Sequence, residues 1–298
     1  MRRWGWSHGL KLSWLRPASA PEVGSSCASG STLPAVGHVL DLEAGERMTT
    51  TQAHHCYVAF SGGADSTALA LLCPEATPIF ADTGWEFPEL YQHIERFERQ
   101  TGREVERVKR EGESLPEYIR SHHYMPGHAS RFCTRLFKIE PIEAFLRAEL
   151  PAELLIGLRA DEPLREGNLS QVEGLTIRYP LREQGLSRSD ILATCIKHDL
   201  LPVYPAYMAR GGCTGCFYKR KSEVLAMVEF VPEVIEELDA LERDVQDERE
   251  YAALMFPNAG QTIAALKSQG RLFSSAELYR DAADTSDIGA ECGLFCHR

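Results

Sequence analysis

The stretch Cys56-Tyr57-Val58-Ala59-Phe60-Ser61-Gly62-Gly63-Ala64-Asp65-Ser66 decides how this chain is read. The residues before Ser61 form a short apolar, partly β-branched run that predicts a buried strand, and Thr67 to Leu72 is Ala/Leu-rich and helix-forming. The glycines therefore sit at a strand-to-helix turn. There Gly62 and Gly63 can take backbone angles closed to other residues and turn several N–H groups toward one point, where the helix N-terminus also concentrates positive partial charge. That point suits a phosphate. Ser61 and Ser66 add hydroxyl donors, and Asp65 can cap the helix or hold a metal ion bound to the phosphates. The plainer alternative is a tight turn that only packs a helix on a strand.

Working outward, the chain alternates strand and helix. Thr77 to Ala81 predicts a second strand, Pro88 through Gln100 a helix with Leu90, Ile94 and Phe97 on one face, Val105 to Val108 a third strand, and Leu154 to Gly157 another buried one. This order predicts an α/β fold, a doubly wound parallel sheet with helices on both faces, whose ligands bind outside the carboxyl ends of the strands. Ser61 to Ser66 and Asp82-Thr83-Gly84 both fall at such ends. Asp82 would help bind magnesium or a ribose hydroxyl there, or serve as a turn-forming residue. From Ile119 to Lys138 the chain carries Arg120, His122, His123, His128, Arg131, Arg135 and Lys138 with no acidic residue, a candidate anion-binding surface or a solvated basic loop. Ser187 to Ile196 predicts a further helix, and Pro232 to Phe256 an acidic amphipathic one that packs on the domain or on a second subunit.

Composition narrows the class. A chain of 298 residues with 44% hydrophobic content can bury a substantial core, and no apolar run approaches the length that spans a bilayer. A net charge of -11 argues against broad, nonspecific nucleic-acid binding, though not against a local basic groove. Nine cysteines, an odd and clustered set, point to metal or redox chemistry in a reducing compartment, and the cytoplasm is expected. Met1 to Arg47 differs in composition from the rest, which suggests a natural start at Met48. The expected organisation is an extension over 1–50, a nucleotide-binding domain over 51–225, and a helical extension with a cysteine tail over 226–298.

The loop SGGADS resembles the pyrophosphate-binding loop of the adenine nucleotide alpha-hydrolases, the PP-loop ATP pyrophosphatases, and Asp82-Thr83-Gly84-Trp85-Glu86-Phe87-Pro88-Glu89 is similar to a segment of phosphoadenosine phosphosulfate (PAPS) reductases. That resemblance implies a nucleotide site of Ser61, Gly62, Gly63, Asp65, Ser66, Asp82, Thr83 and Gly84. Gly157-Leu158-Arg159-Ala160-Asp161 resembles the family's G-x-R-x-D segment, so Arg159, and Arg165 after it, would point toward phosphates or sulfate. Phe132-Cys133 through Lys138-Ile139-Glu140-Pro141 is similar to the Cys-Cys...Lys-x-Glu-Pro segment of iron-sulfur-containing members, with one cysteine of the pair replaced. With Cys213 and Cys216 in Gly212-Cys213-Thr214-Gly215-Cys216, it implies three ligands of a four-iron four-sulfur (4Fe-4S) cluster and assigns Lys138 to the reacting centre.

Glu291-Cys292-Gly293-Leu294 resembles the mobile tail of PAPS reductases, in which the cysteine attacks the sulfur of the bound sulfonucleotide. Cys292 is then the nucleophile, and Cys296 the resolving thiol or a fourth cluster ligand. Cys56, Cys73 and Cys195 lie in apolar patterns and read as small core residues. The resemblance implies thiol-dependent reduction of an adenylyl sulfate, PAPS or APS, to sulfite, with a thioredoxin-like reductant as partner; a homodimer is the expectation if the acidic helix packs on a second subunit. A second reading is an ATP pyrophosphatase with Mg2+ that adenylylates a substrate for sulfur transfer or nucleic-acid thiolation, because the loop is intact. A third is a nucleotide-binding redox sensor without turnover.

Overall fold

Side chains of the first strand alternate between two cores. In the computed structural model β1 (His55–Ala59) sends Val58, with Phe60 just beyond it, into a cluster with Leu69, Ile94, Phe97 and Ile191. Tyr57 and Ala59 point the other way, onto Ile142 and Leu146. This period-two pattern places helices on both sheet faces. Each large side chain so buried contributes roughly 1.5–3 kcal/mol. The described residues are 55–163, 166–167, 172–205, 207–208, 210–248, 253–269 and 296–297. The expectations for Met1 to Arg47, the Met48 start, Arg165 and Cys292 lie outside them.

After β1 come α1 (Ala64–Leu72), β2 (Thr77–Asp82), α2 (Pro88–Thr101), β3 (Glu106–Lys109) and α3 (Leu115–His122). A short α4 (Phe132–Thr134) runs through a π-helical turn, Arg135–Ile139, into α5 (Glu140–Ala148). Then follow β4 (Ala152–Leu155), β5 (Glu166–Gly167), β6 (Leu175–Arg178), α6 (Pro180–Glu183) and α7 (Arg188–Lys197). The chain continues through α8 (Lys221–Phe230), α9 (Pro232–Glu248), α10 (Ile263–Ser268) and β7 (Cys296–His297). The main sheet has the order β3-β2-β1-β4-β6, and every pairing in it is parallel. Strand order reverses between β1 and β4, and the crevice beyond the carboxyl ends of those two strands is where such folds bind ligands.

A third core lies beyond the sheet, where α3, α8, α9 and α10 enclose Leu115, Ile119, Val224, Met227, Leu238, Leu241 and Ile263 together with Phe87. The helices after 221 thus share apolar contacts with the segment that follows β2. The amphipathic helix expected through Phe256 stops earlier, at Glu248. The chain turns back on it, so that the buried Glu242 carboxylate accepts N–H bonds from Met255 and Ile263, both at 2.8 Å, while Met255 and Phe256 fill the core. The basic stretch is also more ordered than a loop. Ser114 and Glu117 form a capping box that starts α3, and Ser114 N–H donates to the Glu117 carboxylate at 2.7 Å. Among the described residues no helix is long and apolar enough to cross a membrane.

Candidate functional site

The turn after β1 is held by its own hydroxyls. Ser61 N–H donates to Ser66 Oγ at 3.1 Å, and the two serine oxygens lie 3.2 Å apart. Ser66 Oγ donates to the Gly63 carbonyl at 3.1 Å, and Gly63 N–H to Ser61 Oγ at 3.4 Å. Gly62 has φ +71°, a conformation that favours glycine, and a Cβ there would lie 2.4 Å from Leu90 Cδ1, so that Leu90 would have to shift. Gly63, rather than Asp65, is the N-cap of α1, and Asp65 falls in the first helical turn.

The other side of the crevice comes from β4. A Cβ on Gly157 would meet the backbone of Asp65 at 3.3 Å, which is how the strand end approaches the loop so closely. Two residues on, Arg159 is buried, and its Nη1 donates to both Asp65 oxygens at 2.9 and 2.7 Å. Nε reaches Asp161 at 2.9 Å, and Nη2 reaches Glu162 at 3.2 Å. Burial alone would lower the Arg159 pKa, but the charge and hydrogen bonds of Asp65, followed by those of Asp161 and Glu162, raise it. Arg159 therefore ties α1 to the loop after β4, with three carboxylates around it. At the end of β2, Asp82 Oδ1 accepts from Gly84 N–H at 2.8 Å and from Tyr91 Oη at 2.7 Å. Both carboxylates considered for Mg2+ thus have protein partners.

The cysteines meet next to this crevice. The glycine run before the CxxC abuts the loop, since a Cβ on Gly211 would lie 3.9 Å from the Ser61 carbonyl oxygen. Tyr204 Oη stands near both segments, 3.8 Å from a Cβ on Gly63 and 3.6 Å from one on Gly211. The CxxC turn then docks on the segment after β2. Glu86 and Cys213 form an antiparallel bridge, Thr214 N–H donates to the Trp85 carbonyl at 2.7 Å, and the Trp85 ring covers Gly215 so closely that a Cβ would fall 2.1 Å from it. Cys133, Cys213 and Cys216 line one pocket with Lys138, Arg210 and Phe217.

Lys138 reaches the pocket from the π-helical turn at Arg135–Ile139. Such a turn accommodates an extra residue in a helix at some energetic cost and is often found at functional sites. Cys213 Sγ lies 3.5 Å from Glu86 Oε1 and 3.6 Å from Thr83 Oγ1. Burial, and then repulsion from Glu86, push the Cys213 thiol well up, with Lys138 opposing. Burial also raises the Glu86 carboxyl, against the pull of Lys138 and of the 2.7 Å bond from Thr83. Among the described residues no three His, Cys, Asp or Glu side chains converge to hold a metal ion.

Other expected features fall elsewhere. Cys73 and Cys195 are wholly buried, with thiols pushed up to about 12 by burial. Cys56 Sγ lies 3.5 Å from the buried Glu153. The tail returns to the domain, where Cys296–His297 pairs antiparallel with Glu166–Gly167, just past the Arg159 loop. Glu86, Tyr204 and Arg210 are site residues that sequence reasoning missed. Glu86 stood inside the quoted segment after β2, but its contact with Cys213 crosses 127 positions and leaves no local signal.

The sheet order, with the glycine loop at its reversal, defines a Rossmann-like α/β domain. Residues 55–174 match the model of the phosphoadenosine phosphosulfate reductase domain. The chain is 30% identical over 122 residues to an uncharacterized protein of Methanocaldococcus jannaschii, covering 39% of this chain and 25% of that protein. It therefore spans about a quarter of the length of that relative. It is also similar to the crystal structure of phosphoadenylyl-sulfate (PAPS) reductase from Candida auris in a phosphate complex, at 18% identity and a TM-score of 0.41, over 49% of this chain and 73% of that one.

Proposed function

We propose that the protein is a PAPS-reductase-like enzyme that binds an adenine nucleotide at Ser61 to Ser66 and carries out sulfur chemistry in the adjoining cysteine-lined pocket, with thiol-dependent reduction of an adenylyl sulfate to sulfite as its reaction. The observation that carries this reading is the closeness of Gly211 to Ser61, whose carbonyl oxygen would lie 3.9 Å from a Cβ on Gly211, so that the glycine loop stands beside the segment leading into the CxxC. In this reading the Cys292 thiolate attacks the sulfo sulfur, the bond from sulfur to the bridging oxygen breaks, and that electron pair leaves with the nucleotide. A second thiol, from Cys296 or a thioredoxin-like reductant, then attacks Cys292 Sγ, forms a disulfide and releases sulfite. Arg159 acts as a positioning residue that fixes Asp65 and the loop, and Lys138 offers charge to the anion. The pairing of Cys296–His297 with Glu166–Gly167 supports return of the tail to the site.

Cys133, Cys213 and Cys216 line one pocket, and three thiol donors of this kind would be the ligands of the 4Fe-4S cluster that the resemblance implies. Such a cluster would supply redox capacity beside the sulfo group. The test is incubation of anaerobically purified protein with PAPS or APS and a dithiol. Sulfite is expected from the wild type and none from Cys292→Ser, and sulfite release that survives in that variant removes the nucleophile from the scheme. Iron and sulfide assays on the same sample test the cluster.

The hydrogen-bonded serines of the loop favour a second reading, in which an intact pyrophosphate grip supports ATP-dependent adenylylation for sulfur transfer or nucleic-acid thiolation. Release of AMP and pyrophosphate from ATP, with no sulfite from PAPS or APS, would select it. A nucleotide-binding redox sensor would show neither turnover.

A further inference from the structure

A polar thread crosses the apolar core behind the glycine loop. Thr67 on α1 and His93 on α2 are both buried, and Thr67 Oγ1 lies 3.0 Å from His93 Nε2. The other ring nitrogen, Nδ1, lies 3.3 Å from Arg96 Nη2, and that same Nη2 donates to the Leu201 carbonyl at 2.6 Å. A guanidinium has N–H groups and no lone pair to offer. Nδ1 must therefore accept, so the proton of the neutral ring sits on Nε2 and is donated to Thr67 Oγ1. Arg96 thus selects one tautomer of His93 and fixes the direction of the bond to α1.

Both ends of the thread lead to the same glycine. Thr67 N–H donates to the Gly63 carbonyl at 2.9 Å and closes the first turn of α1. At the other end, Leu201 opens the segment Leu201-Pro202-Val203-Tyr204, and Tyr204 Oη lies 3.8 Å from a Cβ on Gly63 and 3.6 Å from one on Gly211. Elsewhere α2 meets the loop through apolar side chains, with Leu90 and Ile94 against Gly62. Apolar packing has no direction, whereas a hydrogen bond is steep in angle and length. Leaving a buried polar group without its partner also costs more than the bond itself contributes, so the thread holds a register that packing alone would let slide.

We propose that His93, kept in one tautomer by Arg96, is a positioning residue for the glycine loop, fixing α1, which carries the loop, relative to the 201–204 segment, which brings Tyr204 against it. Being buried, it acts through Thr67 and not on a ligand. The inference rests on the nucleotide reading above and adds a residue outside the crevice on which phosphate binding at Ser61 to Ser66 depends.

The test compares His93→Phe, which keeps a ring without its nitrogens, with His93→Gln, whose amide N–H can still reach Thr67. Ile235→Val in the helical layer controls for a general loss of stability. Amide hydrogen exchange on the ligand-free protein reads the loop directly. His93→Phe should speed exchange at residues 62–67 and at Tyr204 by about tenfold, the size expected for loss of one net hydrogen bond, and change α9 by less than about twofold. His93→Gln should fall between it and the wild type. Affinity for AMP and for inorganic pyrophosphate, measured where every variant is fully folded, should drop in the same order, by about tenfold for His93→Phe, and stay unchanged in Ile235→Val. Faster exchange spread evenly over the loop, α9 and the sheet, or none at the loop, overturns the proposal, because a merely structural role would not single out these amides. So do His93→Gln matching His93→Phe, unchanged affinity in His93→Phe when the wild type binds, and an equal loss of affinity in Ile235→Val. If neither AMP nor pyrophosphate binds the wild type, the nucleotide reading falls, and exchange in the ligand-free protein still decides whether His93 positions the loop.

Discussion

The glycine loop and the cysteine pocket touch each other and are built on opposite principles. The loop is fixed by polar contacts, with Ser61, Ser66 and Gly63 bonded among themselves and Asp65 clasped by Arg159. The pocket is fixed by shape. Cys133 and the CxxC turn come from distant segments, which meet through an apolar core, one backbone bridge and the Trp85 ring lying on Gly215. Removing a charge should therefore injure the first region most, and adding a methyl group should injure the second.

The largest effect is expected at Arg159. Replacing it with Met leaves Asp65, Asp161 and Glu162 together without their shared cation, and the loss of one partner from a buried ionic group costs about 3–5 kcal/mol. Urea unfolding of Arg159→Met measures this. A loss under about 1 kcal/mol would mean that the pair is solvated and that the loop is not held by charge.

His93 tests the same polar framework through pH. It is 5% exposed, joins α2 to α1 through Thr67 Oγ1 at 3.0 Å, and burial followed by repulsion from Arg96 lowers its pKa from 6.5 to about 4. Between those values the unfolded chain binds a proton that the folded one refuses, so stability rises with pH in that window and is lost as pH falls through it. The shift corresponds to about 3 kcal/mol. His93→Gln should flatten the dependence of stability on pH between 7 and 4.5, and an unchanged slope would assign the acid sensitivity to other groups.

For the pocket, Gly215→Ala places a Cβ 2.1 Å from the Trp85 ring. Overpacking of this kind costs about 1–3 kcal/mol. Trp85→Ala alone also destabilises, but the double variant should recover part of the loss, with a coupling of at least about 1 kcal/mol. Strict additivity would show that the ring is not what shapes the turn.

The same contrast explains what the sequence disclosed. The loop and the sheet were legible because their determinants are local. An apolar run, two glycines and a helix former stand side by side, while the assignment of Tyr57 to Phe60 to two faces came only with the structure. The pocket was legible only as a set of cysteines. Nothing near Glu86 announces its contact with Cys213, and the π-helical turn that carries Lys138 has no pattern of its own. The overlong final helix failed for a related reason, since Met255 and Phe256 continue the apolar periodicity while their backbone turns back to Glu242.

The smallest effect should come from the helical layer, where charge is present but does not organise the packing. Arg120 on α3 and Asp244 on α9 form an ion pair with Nε to Oδ2 at 3.3 Å, and their side chains are 54% and 49% exposed. An exposed pair gains little in high dielectric and must order two long side chains, which limits it to about 0.2–1 kcal/mol. Beneath it, Ile119, Leu238 and Leu241 supply apolar contact that Arg120→Ala does not touch. The variant should therefore lose less than about 0.5 kcal/mol at low ionic strength, and most of that loss should vanish at molar salt, where the screening length falls to about 3 Å. A loss that persists in salt and approaches the one at Arg159 would mean that the layer behind the cysteines is also held by charge, and the division between a polar loop and a shape-built pocket would no longer stand.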